Sequence, residues 1–479
     1  MDLYIPICLV YMQITKMNDD LVKLIDHVID NCTPSKSEQL HLENIATNVK
    51  DLINNFISNN KYSFVTDVVF GGSFAKGTWL KNETDIDIFV KFDSQIEFVD
   101  FENYGKEIGL KSLRTFSPYL RYADHPYVEA FVETVKINVV PCFDVPYGRW
   151  KSAADRSPFH TDYVINNLDN DEKNQVRILK KFLKSLNIYG AEISTKGFSG
   201  YVSEVLVIKF GSFLSVLDYF SDFSFEKRII TVDSVFVDAK KEKKFNSPLI
   251  VLDPVDYNRN LGTAISLLSV ATFILSSRAF LMNPKSRFFT DIQKTEPIDP
   301  SIIGLYSSNI LIIEFKFSFR APDVIWGQLQ KTAGSISKSI ESYGFNILKN
   351  ISFTDEKEHC VLAFLLDSVI IPKFYKRAGP DILRKSDSEK FIESNSRSNL
   401  KWLSDDNRIN CILSRDYTDI RDYLKFLINS KHELLGVPKG LKLDFMSSVQ
   451  IYTLDQQKNI SKHLRDSVFE LLYTDDRIF

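Results

Sequence analysis

Apolar residues recur at helical spacing over residues 18–59, at Leu21, Leu24, Ile25, Val28, Ile45, Val49, Leu52 and Ile53. The spacing predicts two helices, parted by the turn signal Thr33-Pro34-Ser35. The period then changes. Residues 63–70 are β-rich, Gly71-Gly72-Ser73 breaks them, and residues 85–92 alternate acid with apolar as a strand does. Residues 132–143 read as one further β-branched run that Pro141 ends. Strand, glycine-rich turn, helix, strand and a later strand describe an α/β module of about 150 residues. From residue 171 the text is helical again, with Val176, Leu179, Leu183 and Leu186 on one face. Arg177, Lys180, Lys181 and Lys184 fall mostly away from that face. Residues 200–217 read as a second, more buried helix and 261–281 as a third. Strands are expected at 230–238 and 249–253, around a charged, exposed turn at 239–245. Beyond about residue 290 the pattern is mixed: strands at 308–319 and 361–371, a helix at 324–342, a polar and flexible insertion at 386–399, and short amphipathic pieces over 416–472.

Composition narrows the class. The 479 residues are 44% hydrophobic and 25% charged, with 18 Gly, 16 Pro, 37 Phe and 20 Tyr, which excludes a disordered or collagenous chain. The length suggests about three domains. Fifty-nine basic against 62 acidic residues leave a net charge of −3, so any nucleic-acid surface must be local. The five cysteines are scattered and form no Cys-x-x-Cys pair, which points to a reducing cytoplasm and away from disulfides or a cysteine zinc site. The apolar start MDLYIPICLVYM has Asp2 where a signal segment has basic residues, and Pro6 interrupts it. Met17 begins a better helical pattern. No later apolar run reaches the ~20 residues of a membrane span, so no membrane partner is expected.

The chemistry gathers between residues 71 and 92. Alternation puts Asp85 and Asp87 on one side of a strand and Ile86 and Ile88 on the other. Two carboxylates about 7 Å apart along a strand suit a hard cation such as Mg²⁺. The turn Gly71-Gly72-Ser73 offers backbone N–H groups and a hydroxyl to phosphate, with Lys76 one helical step on. No Gly-Lys-Ser/Thr closes the turn, so it is not a P-loop. Read alone, these residues fit equally a solvated edge strand beside an ordinary turn.

The run GGSFAKGTWLKNETDIDIFVKF, residues 71–92, resembles the signature of the archaeal-type (class I) CCA-adding tRNA nucleotidyltransferases. RYADHPYVEAFV, NVVPCFDV, KSAADRSPFHTDYV, VRILKKFLKSLNIYGAEI, GFSGYVSEVLVIKFGSF and DPVDYNRNLGTAIS resemble further motifs in the family's order. FRAPDVIWGQL and FYKRAGP resemble pieces of its C-terminal half. The likeness runs from about Met17 past Pro380. It implies an α+β chain: a nucleotidyltransferase-fold catalytic domain with a mixed sheet (17–155), a helical central nucleotide-binding domain (156–290) and an α/β C-terminal tRNA-binding region (291–479). The implied activity is template-independent addition or repair of the tRNA 3′-terminal CCA from CTP and ATP, with two Mg²⁺ ions, in a cytoplasmic enzyme that is a homodimer.

Residue by residue, the resemblance matches Asp85 and Asp87 to metal carboxylates and Ser73 to a phosphate-binding serine. Lys76 stands where the family often has Arg. His160, Lys180 and Tyr189 match nucleotide-binding positions, and Arg259 an arginine near the incoming base. Structural readings stand beside each: a turn histidine, a solvated helix face, a core aromatic, and an ion pair of Arg259 with Asp253 or Asp256. One match fails. The family's third metal carboxylate falls on Asn138. Glu133 has the wrong parity to replace it; Asp144 has the right parity but lies about 20 Å along a continuous strand, a distance that a folded turn after Pro141 would shorten, so Asp144 stays a candidate. Asn138 can ligate a metal but takes no proton. It keeps open a non-catalytic tRNA-binding relative, beside another nucleotidyltransferase such as a poly(A) or oligoadenylate synthase. Lys373, Lys376 and Arg377 form a candidate basic patch for tRNA, which an exposed helix end explains as well.

Overall fold

The computed structural model describes residues 7–122, 126–233, 244–291, 299–457 and 460–479. The chain divides into two units, Met1–Ile292 with Asp476–Phe479, and Gln293–Asp475. In the first unit, α1 (Ile7–Cys32) and α2 (Lys36–Asn59) flank the expected turn, and Ser35 caps α2 by accepting the Glu38 N–H. The two helices serve different cores. Leu42, Ile45, Val49 and Ile53 of α2 pack under a sheet, whereas Val28 and Cys32 of α1 join a helical core. The start of α1 overlaps the apolar opening, of which residues 1–6 lie outside the described residues.

The sheet comprises β1 (Val65–Gly71), β2 (Asp85–Asp93), β3 (Tyr119–Tyr122), β4 (Pro126–Val132) and β5 (Val135–Asp144), in the order β1-β2-β5-β4-β3. Only β2 and β5 pair in parallel, so the sheet is mixed. Helix α3 (Gly72–Lys76) links β1 to β2, and α4 (Phe98–Ser112) packs beneath β4. A Cβ at Gly109 would lie 2.6 Å from Val128, which is why α4 carries glycine there. The expected single run at 132–143 is instead the end of one strand, a turn at Glu133 with φ 56°, and a second strand. Pro141 does not end β5, because the β4 pairing stops at Val139 and a missing N–H beyond it breaks no bond to β4.

Helices α5 (Arg156–Asn167), α6 (Asn170–Ser185), α7 (Gly200–Phe210), α8 (Phe213–Ser221) and α9 (Leu267–Met282) follow. Residues 200–217 are two helices rather than one: Gly211 turns at φ 84°, Ser212 caps α8, and the axes bend by 91°. The expected helix at 261–281 begins as a 3₁₀ turn, and α9 starts only after its cap Ser266. Phe182 centres this core, its ring 5.4–6.2 Å from those of Phe213, Phe273, Phe280, Phe288 and Phe289. Of the expected strands at 230–238 and 249–253, the described residues form the parallel pair β6 (Ile229–Ile230) and β7 (Ile250–Val251). Residues 234–243, with the end of the first strand and most of the charged turn, lie outside the described residues. Among the described residues, no single helix is long and apolar enough to cross a membrane.

In the second unit, α10 (Pro300–Tyr306) precedes β8 (Ile310–Lys316), α11 (Pro322–Tyr343), β9 (Ile347–Thr354) and β10 (His359–Leu366). Next come β11 (Phe374–Asp381), α12 (Lys385–Ser394), β12 (Lys401–Leu403), β13 (Arg408–Ser414), α13 (Ile420–Ser430), α14 (Lys439–Ser448), β14 (Gln450–Thr453) and α15 (Lys462–Leu472). One sheet runs β14-β8-β10-β9, and a smaller one β11-β13-β12. The larger is buried on both faces: Leu311, Ile313 and Leu362 meet α11, α13 and α14, while Ile312, Val361 and Ala363 meet α15. That explains why β8 and β10 read as unbroken apolar runs. The expected flexible insertion at 386–399 contains α12, which packs on β11. Asn395 is buried there and bonds the Phe391 carbonyl, and Ser388 and Ser398 likewise bond backbone carbonyls, while most of the other polar side chains are exposed. The patch Lys373, Lys376 and Arg377 is exposed, on and beside strand β11 rather than at a helix end.

A buried ionic cluster joins the sheet of the first unit to its helices. Glu204 of α7, 1% exposed, accepts from Lys76 at 2.8 Å, Lys180 at 3.2 Å and the Thr78 hydroxyl. Arg177 and Lys180, expected on the solvated side of α6, are 6% and 1% exposed. They turn inward because the loop after α3 needs donors: Lys180 bonds the Thr78 carbonyl and Arg177 that of Trp79. Burial alone would raise the Glu204 pKa, but the two ammonium groups and the Thr78 hydroxyl overcome it and hold it at about 2. Replacing Glu204 by Gln keeps its shape and strands two buried ammonium groups, at an expected loss of about 3–5 kcal/mol near neutral pH. Because the folded pKa is depressed from 4.5, this contribution is complete above pH ~4.5 and disappears as pH falls through about 2. Urea unfolding of wild type and Glu204→Gln over that range checks it. Their stability gap should close towards acid; a gap that stays constant contradicts the assignment.

Candidate active site

On β2, Ile86 and Ile88 are fully buried beneath the sheet, so Asp85 and Asp87 stand together on the opposite face. The parallel register sets Asp85 beside Lys136 and Asp87 beside Asn138 of β5. The Lys136 ammonium lies 2.5 Å from Asp85 Oδ2, and Asn138 donates from Nδ2 to Asp87 Oδ1 at 2.8 Å. Asn138 Oδ1 is buried without a hydrogen-bond partner. Burial raises the pKa of Asp87; the Asn138 donor draws it back, and Asp85 adds to the rise. Neither acid weighed as a substitute for the third carboxylate reaches this spot. Glu133 sits in the β4–β5 turn with His41, and Asp144 pairs with Lys91 at 2.7 Å, opposite Asp93 at the far end of the strands. The nearest acid across the sheet is Glu129, paired with Asn138 in register but held by the Tyr119 hydroxyl and by Arg121 at 3.5 Å.

The glycine turn crosses directly over Asp87. Gly72 has φ +64°, and a Cβ there would fall 1.9 Å from Asp87 Oδ2, so only glycine lets the backbone pass. Ser73, Asp85, Asp87, Lys180, Lys184 and Tyr189 line one cavity of about 410 Å³. Lys184 pairs there with Glu83. Tyr189 is a core aromatic whose hydroxyl pKa is pushed up by burial. Lys76 does not line this cavity; it lies beneath, on Glu204, with its ammonium 4.8 Å from the Tyr201 ring centroid.

His160 and Arg259 gather elsewhere, around the fully buried Asp253. His160 Nε2 is 2.8 Å from Asp253 Oδ2, and Arg259 pairs with the same oxygen at 3.6 Å. Asp256, the other acid considered for Arg259, is taken by Arg156. Burial lowers the His160 pKa while Asp253 opposes it. Tyr201 stacks on His160, ring centroids 4.1 Å apart, and so stands between the two clusters. Sequence reasoning missed Glu204, Tyr201, Lys136 and Glu83. Two signals were present: Glu204 is an acid inside the apolar stretch YVSEVLVI, and Lys136 shares the parity of Asn138.

The donor set fits a hard divalent ion. Asp85 and Asp87 offer carboxylate oxygens, and the unpartnered Asn138 Oδ1 offers a neutral one, with no sulfur or imidazole among them. Among the described residues, no group of three or more His, Cys, Asp or Glu side chains is arranged to hold a metal. Two acids and an amide are therefore what this site supplies.

Comparison with known proteins places these residues in a lineage. The nucleotidyltransferase domain matches residues 49–160, the tRNA nucleotidyltransferase second domain 174–290, and the CCA-adding enzyme C-terminal domain 307–442. The last carries the likeness from Pro380 on to residue 442. The chain is 33% identical to the CCA-adding enzyme of Methanocaldococcus jannaschii, over 92% of this chain and 98% of that one. It is 37% identical to that of Sulfurisphaera tokodaii, over 82% and 89%, and 33% identical to that of Pyrobaculum islandicum, over 82% and 90%. Among solved structures, it is similar to the Cid1 poly(U) polymerase at 14% identity and a TM-score of 0.46, covering 57% of this chain and 99% of that one. With such relatives matched along nearly their whole length, the chain belongs to the family of CCA-adding enzymes.

Proposed function

We propose that this protein adds or repairs the 3′-terminal CCA of tRNA from CTP and ATP without a nucleic-acid template. The observation that carries the reading is one cavity shared by Asp85, Asp87, the Ser73 turn and Lys180 in a chain of this family. Asp85 and Asp87 would hold Mg²⁺, with Asn138 Oδ1 as a neutral third donor. An ion held there would supply positive charge to triphosphate oxygens. Ser73 donates its hydroxyl to the phosphates. Lys180, which lines the cavity, shares the Glu204 carboxylate with Lys76, and burial pushes its pKa down while Glu204 opposes the shift. The tRNA 3′-oxygen attacks the α-phosphorus in line; the new O–P bond forms as the bond to pyrophosphate breaks. Asn138 takes no proton, so the 3′-hydroxyl proton leaves to water. We assign catalysis to residues 17–155, nucleotide binding to 156–290 with His160, Tyr189 and Arg259, and tRNA binding to 291–479, with Lys373, Lys376 and Arg377 as phosphate contacts.

Asn138 also supports a second reading, a tRNA-binding relative without catalysis. Incorporation of labelled CTP and ATP into tRNA transcripts ending before CCA, after C and after CC separates the two. Ordered C, C, A addition that stops is expected, with Asp87→Ala on the order of 10³-fold slower or worse. No incorporation by wild type, with activity gained in Asn138→Asp, would establish the second reading; an open-ended A run would mean another polymerase. Ser73→Ala should weaken CTP and ATP binding by about 1 kcal/mol, roughly fivefold in Kd, as read by calorimetry. An unchanged Kd would remove Ser73 from the phosphate site.

A further inference from the structure

Backbone register makes Lys136 a permanent member of the carboxylate patch. Ile86 and Ile88 on β2 and Ile137 and Val139 on β5 are at most 1% exposed, and together they lock the alignment of the two strands. A slip of one residue would bury both acids and expose the isoleucines. Asp85, Asp87, Lys136 and Asn138 therefore occupy four adjacent positions on one sheet face, whatever ligand is bound. The Lys136 ammonium already contacts Asp85 Oδ2 at 2.5 Å, with the lysine side chain only one-third exposed.

Charge then limits what the patch can hold. Two carboxylates, one ammonium and one neutral amide sum to a single net negative charge. A pair of divalent ions ~4 Å apart repel strongly and are held together by carboxylates that bridge and flank them. Here one of the two acids is engaged by a lysine, and the neighbouring position on β5 is an amide with no charge to give.

We infer that Lys136 is a built-in cation that takes the electrostatic place of a second metal, so that the site holds one divalent ion per chain on Asp85, Asp87 and Asn138 Oδ1. The inference rests on the proposed function, which makes Asp85 and Asp87 metal ligands. It replaces the two ions that the family resemblance implies, and it makes Lys136 a positioning residue that acts through Asp85.

Mn²⁺ titration of the full chain with a non-hydrolysable α,β-methylene CTP, followed by electron paramagnetic resonance, tests it. Wild type should bind one Mn²⁺ per chain with the spectrum of an isolated ion. Asn138→Asp alone should still bind one, because Lys136 remains. Lys136→Gln combined with Asn138→Asp should bind two and show an exchange-coupled pair. Two coupled ions in wild type would overturn the inference and leave the proposed function standing. Two ions in Asn138→Asp alone would overturn the role of Lys136. Wild type that binds no more Mn²⁺ than Asp87→Ala would overturn the proposed function together with the inference.

Discussion

The Glu204 carboxylate meets two ammonium groups in a place with almost no water, and the candidate site depends on that meeting. Lys76 comes from the end of α3 and Lys180 from the middle of α6, so one acid on α7 draws together three helices from two different cores. Such a cluster recovers its desolvation cost only if every donor is used. Here the Thr78 hydroxyl and carbonyl, with Arg177 on the Trp79 carbonyl, complete it. The loop after α3 is thereby fixed from below, and Ser73, at the start of the same short helix, is held over the carboxylates of β2.

Above that base, the arrangement follows from strand parity. Alternation hands Asp85 and Asp87 to one face, parallel pairing adds Lys136 and Asn138, and antiparallel pairing adds Glu129 and Tyr119. The chemistry of the face is thus a cross-section of sequence through four strands. Gly72 sets its ceiling, because a side chain there would strike Asp87. The close ceiling and the sheet floor enclose the Asp87 carboxylate, to which Asn138 donates.

Much of this was legible beforehand. Helices α1 and α2, the turn between them, strands β1 and β2, and the shared face of Asp85 and Asp87 follow from periodicity and turn residues alone. What misled was context. Arg177 and Lys180 look like a solvated face because local pattern cannot report that a distant loop will lie on α6 with bare carbonyls. Residues 386–399 look like a flexible insertion because most of their side chains are polar and exposed, while only Ser388, Asn395 and Ser398 turn inward to bond backbone carbonyls. Residues 200–217 look continuous because apolar composition hides a break that one left-handed glycine makes. At the site, the resemblance named individual residues, but it could not say that they fall into two clusters.

Those clusters are not independent. Tyr201 and Glu204 are three residues apart on α7 and so lie on one side of it. Glu204 binds Lys76 below the carboxylate cavity, while Tyr201 packs its ring against both the Lys76 ammonium and the His160 imidazole that faces Asp253. The Lys76–Glu204 pair and the Asp253 cluster therefore meet on one turn of one helix. The sheet supplies the acids, and α7 supplies the two side chains, Tyr201 and Glu204, that pack between the clusters.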